Sequence, residues 1–260
     1  MEPVIKEIEY ILQSTDLTVS IYNGNLDAIS NTPGQLEWVD NLSWDGQSEF
    51  KNSTRRTLVV NRLVEGYFRE TERLKFYWIN VAGQSAPLDN PIAMNRILTR
   101  IITEEAEDDE DEDKEEDGDQ EPYTVVELEG EGIGSSEYTA AFTRIRDVGD
   151  IFWWFYPTVA SEPFTRPLVL WLDGVTGVPP SLLANLGMIG PYDINLETRN
   201  DSWISQCNLL FIDAPLGTGY STPLDSTKIP RSVDENVEQL LVVLESFYSV
   251  HDYYKDVPLY

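Results

Sequence analysis

A run of fourteen acidic residues and one lysine, Glu104–Glu121, most constrains how this 260-residue chain can fold. The run contributes −13 to the chain's formal net charge of −28. Such a segment repels itself and offers too little apolar surface to bury, so it predicts a disordered linker. The sequence therefore predicts two folded segments, residues 1–103 and 122–260, joined by an acidic linker at residues 104–121.

The rest of the composition excludes several classes of function. Lys and Arg total 18 against 46 Asp and Glu, and no basic stretch could neutralise phosphates, so no nucleic-acid partner is expected. Cys207 is the one cysteine and His251 the one histidine. The sequence therefore predicts no internal disulfide, no metal site built from several Cys or His, and no cofactor.

The sequence carries neither a membrane-span pattern nor a signal-peptide pattern. No stretch reaches the roughly 18 apolar residues of a membrane span, so no membrane partner is expected. The segment Met1–Gln13 has glutamates where a secretory signal peptide has basic residues. The chain is therefore interpreted as cytosolic or as a fragment that lacks its own signal, and its compartment stays open.

Apolar runs that end in glycine-rich loops indicate buried strands in the second segment. Leu168–Leu172 has no polar break and ends at Asp173-Gly174, and Asn208–Asp213 ends in the glycine-rich stretch 214–221. Such a loop can present backbone N–H groups to an oxyanion, although most strands end near a glycine for purely structural reasons. Further predicted strands are Tyr138–Ile145 and Ile151–Tyr156. Ser232 opens a predicted helix that buries Val237, Leu240, Leu241, Leu244, Phe247 and Tyr248.

The first segment shows a similar alternation of helices and strands. The pattern predicts strands at Leu17–Tyr22 and Leu74–Val81. Predicted helices are Pro3–Gln13, a helix from a capping box at Thr32 to Leu42, and a helix that opens at Asn90-Pro91.

Several of these runs resemble the serine carboxypeptidase family, and most closely its retinoid-inducible group. IFWWFY, LVLWLDG, MIGP and LLFIDAPLGTGYS resemble the head of the family sequence, in the family's order and spacing. VSIYNGNLDAI, LKFYWINVAG and the Pro87–Ile102 helix resemble its tail. The tail precedes the head here, and both a fusion of tandem copies and an error in the gene model stay open.

The resemblance implies an α/β-hydrolase fold, incomplete in this chain. It would consist of two half-sheets with flanking helices, joined by the acidic linker, and the strand that begins at Val257 should lie beside Leu168–Leu172. The family's reaction is the release of C-terminal residues from peptides, and its members are secretory or lysosomal.

The resemblance also places the catalytic positions. Asp27 falls on the aspartate of the family's triad, Gln84 falls on the histidine, and the nucleophilic serine has no counterpart. The loops that carry Asp27 and Gln84 follow neighbouring strands in the family, so we expect the Gln84 amide to donate a hydrogen bond to Asp27.

The substrate-binding positions are altered as well. The oxyanion loop falls on Gly174 and Val175, with valine where the family has glycine. Asp173 and Met188 fall on the positions that help to hold the substrate's C-terminal carboxylate. An ionised Asp173 would repel that carboxylate, and Met188 has no hydrogen to donate.

Other conspicuous side chains are interpreted as structural. Neither Ser85 nor Ser221 lies in a strand–turn–helix elbow, which argues against a nucleophile. His251, at a helix end, is interpreted as structural, Cys207 as a small buried apolar residue, and the pair Trp153-Trp154 as packing residues.

Three functions are open at this point. The chain could be a non-catalytic relative whose cleft binds a peptide or a protein C-terminus. It could be a fragment of an active serine carboxypeptidase whose serine and histidine lie outside these residues. Its acidic run could instead attract basic proteins. The first is favoured because the binding and catalytic positions are changed while the scaffold motifs remain.

Overall fold

The computed structural model describes residues 4–60, 63–104, 122–128, 134–173 and 177–260. The chain divides into two compact units, Met1–Asp108 and Asp109–Tyr260, called here the N-terminal and C-terminal units. This division falls within the predicted acidic linker, of which residues 105–121 lie outside the described residues. Across the described ranges, no helix is long and apolar enough to cross a membrane.

A four-stranded mixed sheet forms the centre of the N-terminal unit, in the order β1-β4-β3-β2. Strands β1 and β4 are parallel, and the other neighbours are antiparallel. The strands are β1 (Val19–Gly24), β2 (Arg56–Val60), β3 (Leu63–Glu70) and β4 (Leu74–Ile79). The helices are α1 (Ile5–Ser14), α2 (Thr32–Asp40), α3 (Gln47–Asn52), α4 (Ala86–Asp89) and α5 (Pro91–Glu104).

Side chains cap the starts of α2 and α5, with one correction to the prediction. Asn31, not Thr32, caps α2, because the Asn31 Oδ1 accepts from the Gly34 N–H at 3.0 Å. The Thr32 hydroxyl instead accepts from the Asn23 amide at 3.1 Å. Asn90 caps α5 as predicted, with its Oδ1 accepting from the Ala93 N–H at 3.1 Å.

Helices and sheet of the N-terminal unit share an apolar core. Helix α1 contributes Leu12 to it, whereas Val4, directly before α1, is 54% exposed. The buried members of the core are Leu12, Val39, Leu42, Phe50, Leu74, Phe76 and Trp78.

The C-terminal unit contains a six-stranded sheet in the order β5-β6-β7-β9-β8, with the short β10 beside β7. Strands β8 and β9 are parallel, and the other pairs are antiparallel. Its elements are β5 (Tyr123–Glu127), β6 (Thr139–Ile145), β7 (Gly149–Tyr156), β8 (Leu168–Trp171), β9 (Asn208–Ile212), β10 (Thr222–Pro223) and α6 (Val233–Val250).

The last residues of the chain lie beside β8, as predicted. The Leu168 N–H donates to Pro258 O at 2.9 Å, and the Leu170 N–H donates to Tyr260 O at 2.8 Å. Leu168 and Leu259 form a parallel bridge. Mixed sheets flanked by helices give both units the predicted α/β character.

Helix α6 packs on the sheet through part of the predicted face. Leu240 and Phe247 are buried as predicted, and Leu244 and Tyr248 are partly buried against the same core. Val237 is 44% and Leu241 55% exposed, whereas Val243 is buried without having been predicted. The Phe247 ring packs edge-on against Trp153 and Phe155. The sequence pattern assigns Val237 and Leu241 to the core because α6 carries apolar residues on two sides, and periodicity alone does not choose between them.

Candidate functional site

Two loops that carry predicted catalytic positions lie at one edge of the N-terminal sheet. Strands β1 and β4 are parallel, so the loops that follow them share this edge. The Leu26 N–H donates to Ala82 O at 2.8 Å and so joins the loops directly. Gly24 permits the approach, since a Cβ at this position would lie 2.1 Å from Gly83 O. The predicted meeting of the two loops is therefore present.

The predicted hydrogen bond between Asp27 and Gln84 is wrong. Asp27 is 8% exposed, and its Oδ1 accepts from the N–H groups of Ile29 at 2.8 Å and Ser30 at 2.9 Å. Gln84 is exposed, and no hydrogen bond joins it to Asp27 within the part of the chain that the structure describes. Asp27 bonds to its own loop because neighbouring backbone donors reach its carboxylate without ordering a long side chain.

The loop around Gln84 is held by the last residue of α4, Asp89, and by Asn90, which follows it. The Gly83 N–H donates to Asp89 Oδ2 at 2.7 Å. The Asn90 amide donates to Asn80 O and to Glu65 Oε2, both at 2.9 Å. These contacts fix the path of the loop while the Gln84 side chain stays in solvent.

The substrate-binding positions belong to the C-terminal unit and are only partly described. Asp173 follows β8 and is partly buried, whereas Gly174 and Val175 lie outside the described residues. Met188 is buried in a π-helical turn, Asn185–Ile189. The roles of these residues in binding a carboxylate or an oxyanion stay predictions.

A buried carboxylate that the sequence analysis did not single out, Asp213, organises the loops at the end of β9. Its Oδ1 accepts from the Ser181 N–H at 3.0 Å. Its Oδ2 accepts from the Ser181 hydroxyl at 2.8 Å and the Tyr220 N–H at 3.1 Å. Gly219 adopts a φ of +56°, and a Cβ there would lie 2.2 Å from Asp213 Oδ2. Asp213 thus joins the loop after β8 to the loop after β9.

Asp213 is fully buried, and its environment perturbs its ionisation. Burial raises the pKa of its carboxyl above the usual value, while the hydrogen bonds from Ser181 and Tyr220 act in the opposite direction. One sequence signal could have identified it: an acidic residue directly after an entirely apolar strand and before a glycine-rich turn.

The two serines considered as nucleophiles have structural positions. Ser221 is buried, its hydroxyl donates to Asp213 O at 2.6 Å, and it accepts from the Phe152 N–H at 2.8 Å. Ser85 is partly buried just before the short helix α4. Neither precedes a long helix after a strand, which is the geometry of a nucleophile elbow.

Cys207 and the tryptophan pair are packing residues. Cys207 is fully buried, and burial raises the pKa of its thiol to about 12, so it stays a thiol at neutral pH. Trp153 is buried in the core against α6 and donates its indole N–H to the Thr143 hydroxyl at 3.1 Å. Trp154 lies on the other side of the strand, stacked on Tyr156 with ring centroids 5.7 Å apart.

His251 lies at the end of α6 among aromatic rings. Its ring centroid is 4.8 Å from that of Phe247, 5.0 Å from that of Phe155 and 5.9 Å from that of Trp153. Desolvation lowers the pKa of the imidazole below its usual value of 6.5, with a smaller opposing effect from Glu127. These contacts agree with a structural role.

We expect His251 to make the protein less stable in mild acid. Its folded-state pKa lies below the unfolded value of 6.5, so its contribution to stability is complete above pH 6.5 and is lost as the pH falls through the folded-state pKa. Thermal unfolding between pH 7.5 and 5 should show a larger fall in melting temperature for the wild type than for His251→Phe. Equal falls in the two proteins would mean that the imidazole is already solvated.

No group of three or more metal-ligating side chains occurs among the described residues. The candidate sites are instead two pairs of loops at the ends of parallel strands, one pair in each unit.

A family model for serine carboxypeptidases matches residues 1–104 and 135–260. The chain belongs to the serine carboxypeptidase family. Its mixed sheets with flanking helices fit the α/β-hydrolase-type fold.

Individual relatives match only parts of the chain. Retinoid-inducible serine carboxypeptidase of Rattus norvegicus is 34% identical over 121 residues, which is 46% of this chain and 27% of the relative. Serine carboxypeptidase-like 51 of Arabidopsis thaliana is 38% identical over 103 residues, which is 39% of this chain and 22% of the relative. The chain thus spans about a quarter of the length of these relatives.

A solved structure is also similar. Kex1(delta)p, a prohormone-processing carboxypeptidase from Saccharomyces cerevisiae, aligns with a TM-score of 0.40 and 23% identity. The alignment covers 53% of this chain and 29% of the other.

Proposed function

We propose that this polypeptide is a serine-carboxypeptidase-like protein without catalytic activity, which at most binds a peptide or the C-terminus of a protein. The observation that carries the proposal is the state of the triad positions. Gln84 stands at the position of the family's histidine, is exposed, and makes no hydrogen bond to Asp27 among the described residues. The Asp27 Oδ1 is engaged by its own loop.

Acyl transfer needs a base that accepts the proton of the nucleophile. The triad aspartate orients an imidazole and stabilises its positive charge, and an amide cannot take over the imidazole's task because it is not basic near neutral pH. In the serine protease subtilisin, loss of the triad histidine costs roughly a million-fold in rate. A chain with Asp27 and Gln84 at these positions therefore has an orienting group and no base.

The altered binding positions point to a mode of binding that does not depend on the C-terminal carboxylate of the ligand. Asp173 would repel a carboxylate, and Met188 is buried and has no polar hydrogen. The expected ligand therefore makes its contacts through its backbone and side chains more than through a free carboxylate.

Restoring the histidine should leave the protein inert. Gln84→His supplies an imidazole but no nucleophile, and triad members act as a unit with strongly non-additive effects. Wild type and Gln84→His are incubated with a fluorophosphonate serine probe and with a blocked dipeptide, at acidic and neutral pH. We expect neither protein to be labelled nor to release the C-terminal residue.

An active member of the family, treated in parallel, shows that probe and substrate report activity. Heat-treated wild type gives the background. Stoichiometric labelling of any serine in either protein, or release of the C-terminal residue above background, would contradict the proposed loss of activity.

The acidic run supports a second candidate, the binding of basic proteins. A charge of −13 within 18 residues attracts cationic partners in a salt-dependent manner. Deletion of residues 104–121 separates the candidates: binding of a basic protein should be lost on deletion, whereas binding of a peptide in the cleft should survive it. Recovery of activity when further family sequence is supplied would instead favour a fragment of an active enzyme.

A further inference from the structure

Four arginines line one cavity of the N-terminal unit. The cavity has a volume of about 560 Å³. Arg55 and Arg56 contribute from the start of the edge strand β2, and Arg96 and Arg100 contribute from α5. The chain carries −28 overall and has only 18 basic residues, so four of them around one cavity form a marked local concentration of positive charge.

Three of these guanidinium groups are held in place by neighbouring side chains. The Arg100 guanidinium lies 4.4 Å from the centre of the Phe68 ring, and that of Arg55 lies 4.8 Å from the centre of the Tyr67 ring. Glu70 bridges two arginines, with its Oε1 3.1 Å from Arg56 Nη1 and its Oε2 2.8 Å from Arg100 Nη2. These contacts restrict the Arg100 side chain, which is 20% exposed, more than that of Arg56, which is 66% exposed, so the cavity is preorganised mainly on its Arg100 side.

The described lining of the cavity is positively charged. Its described residues other than the four arginines are neutral, and Glu70, which pairs with Arg56 and Arg100, lies outside this lining. An anion inside the cavity would reduce the repulsion between the guanidinium groups. The Glu70 bridge also demonstrates the geometry available there, in which one anionic group accepts from arginines on two different elements.

We propose that this cavity binds a compact anion with two or more linked phosphate groups. Guanidinium groups recognise phosphate oxygens through paired hydrogen bonds, and linked phosphates place several charges within a few ångströms. A cavity of about 560 Å³ is within the range of small-molecule sites. Polypeptide carboxylates fit less well, because each carries one charge and brings a bulky backbone into the space.

The aromatic surface of the cavity narrows the ligand class further. The Phe68 ring lines the cavity, but the Arg100 guanidinium already lies over it, so a nucleobase finds no free ring there to stack on. The recognised part is therefore the group of closely spaced phosphates itself. Inorganic tripolyphosphate and inositol hexakisphosphate share this chemistry and differ in how their phosphates are arranged.

Isothermal titration of the full chain with each of these two compounds tests the proposal. We expect one binding site per chain, an affinity that weakens as salt is added, and a difference between the compounds that identifies the preferred arrangement of phosphates. Arg55→Gln and Arg96→Gln should each weaken binding by about tenfold, because each removes a charge-assisted hydrogen bond. Arg146→Gln, which removes an exposed arginine of the other unit, should leave binding unchanged.

Glu70→Gln is a second variant with an effect of opposite sign. It removes the negative charge between Arg56 and Arg100 without changing the shape of the side chain, so binding should become tighter. Loss of structure would not strengthen binding, which separates the proposed role from a purely structural one.

Four outcomes would overturn the proposal. They are the absence of binding at millimolar concentrations, weakening by Arg146→Gln as large as that by Arg96→Gln, weaker binding by Glu70→Gln in a folded protein, and equal or tighter binding of a hexaglutamate peptide. The last result would assign the cavity to an acidic polypeptide instead of a phosphate ligand.

Discussion

Asp213→Ala is expected to lower the free energy of unfolding of the C-terminal unit by about 3 kcal/mol. The substitution leaves the buried Ser181 N–H and the Tyr220 N–H without their acceptor, and each buried donor left unsatisfied costs about 1–3 kcal/mol. Burial raises the pKa of Asp213, so removing the carboxylate also relieves some desolvation. The loss of these two bonds and of a third, from the Ser181 hydroxyl, outweighs this relief, because alanine supplies no acceptor.

Further variants separate the loss of hydrogen-bond acceptors at Asp213 from the loss of its charge. Asp213→Asn keeps one acceptor oxygen and should cost about half as much. Asp225→Ala removes an exposed carboxylate that accepts from the Thr227 N–H at 2.7 Å, and is the matched control, with an expected loss of about 1 kcal/mol. Hydrogen exchange of the β7 amides measures the stability of this unit alone. Equal protection in Asp213→Ala and Asp225→Ala would show that Asp213 does not join the two loops.

The observed strands show where sequence patterns are informative. The sequence predicts strands β4, β7, β8 and β9 from their mainly apolar runs, and most of the side chains in these strands are buried. It does not predict the hairpin of β2 and β3. Its strands, RTLVV and LVEGYFRE, mix apolar with charged residues, and most side chains of the edge strand β2 are exposed. The hairpin therefore lacks the continuous apolar run that marks a buried strand.

The sequence is less informative about side-chain partners. The family resemblance places the loops of Asp27 and Gln84 together, and the parallel pairing of β1 and β4 accounts for that success. The direction of the Asp27 carboxylate depends on two backbone N–H groups two and three residues away, which no motif specifies. Val81, in the same loop as Gln84, adopts a φ of +55° that is rare for a β-branched residue and gives no sequence signal.

Gly24→Ala is expected to destabilise the N-terminal unit by about 3–4 kcal/mol. The new Cβ would lie 2.1 Å from Gly83 O and 2.4 Å from Ala82 O, and both are backbone atoms that no side-chain rotation can move. The end of β1 must therefore separate from the loop that follows β4. The separation would break the hydrogen bonds from Leu26 N–H to Ala82 O at 2.8 Å and from Asn25 N–H to Ile79 O at 2.7 Å.

Gly34→Ala is the matched control for this substitution. Its Cβ would meet only the Asn31 side chain, at 3.3 Å, and alanine favours the helix, so the expected change is within about 1 kcal/mol. Hydrogen exchange of the β1 and β4 amides measures both variants. Equal stability of Gly24→Ala and Gly34→Ala would mean that the ends of β1 and β4 are not in close contact. The loops of Asp27 and Gln84 would then not share one edge of the sheet, and the assignment of these two residues to triad positions would lose its structural basis.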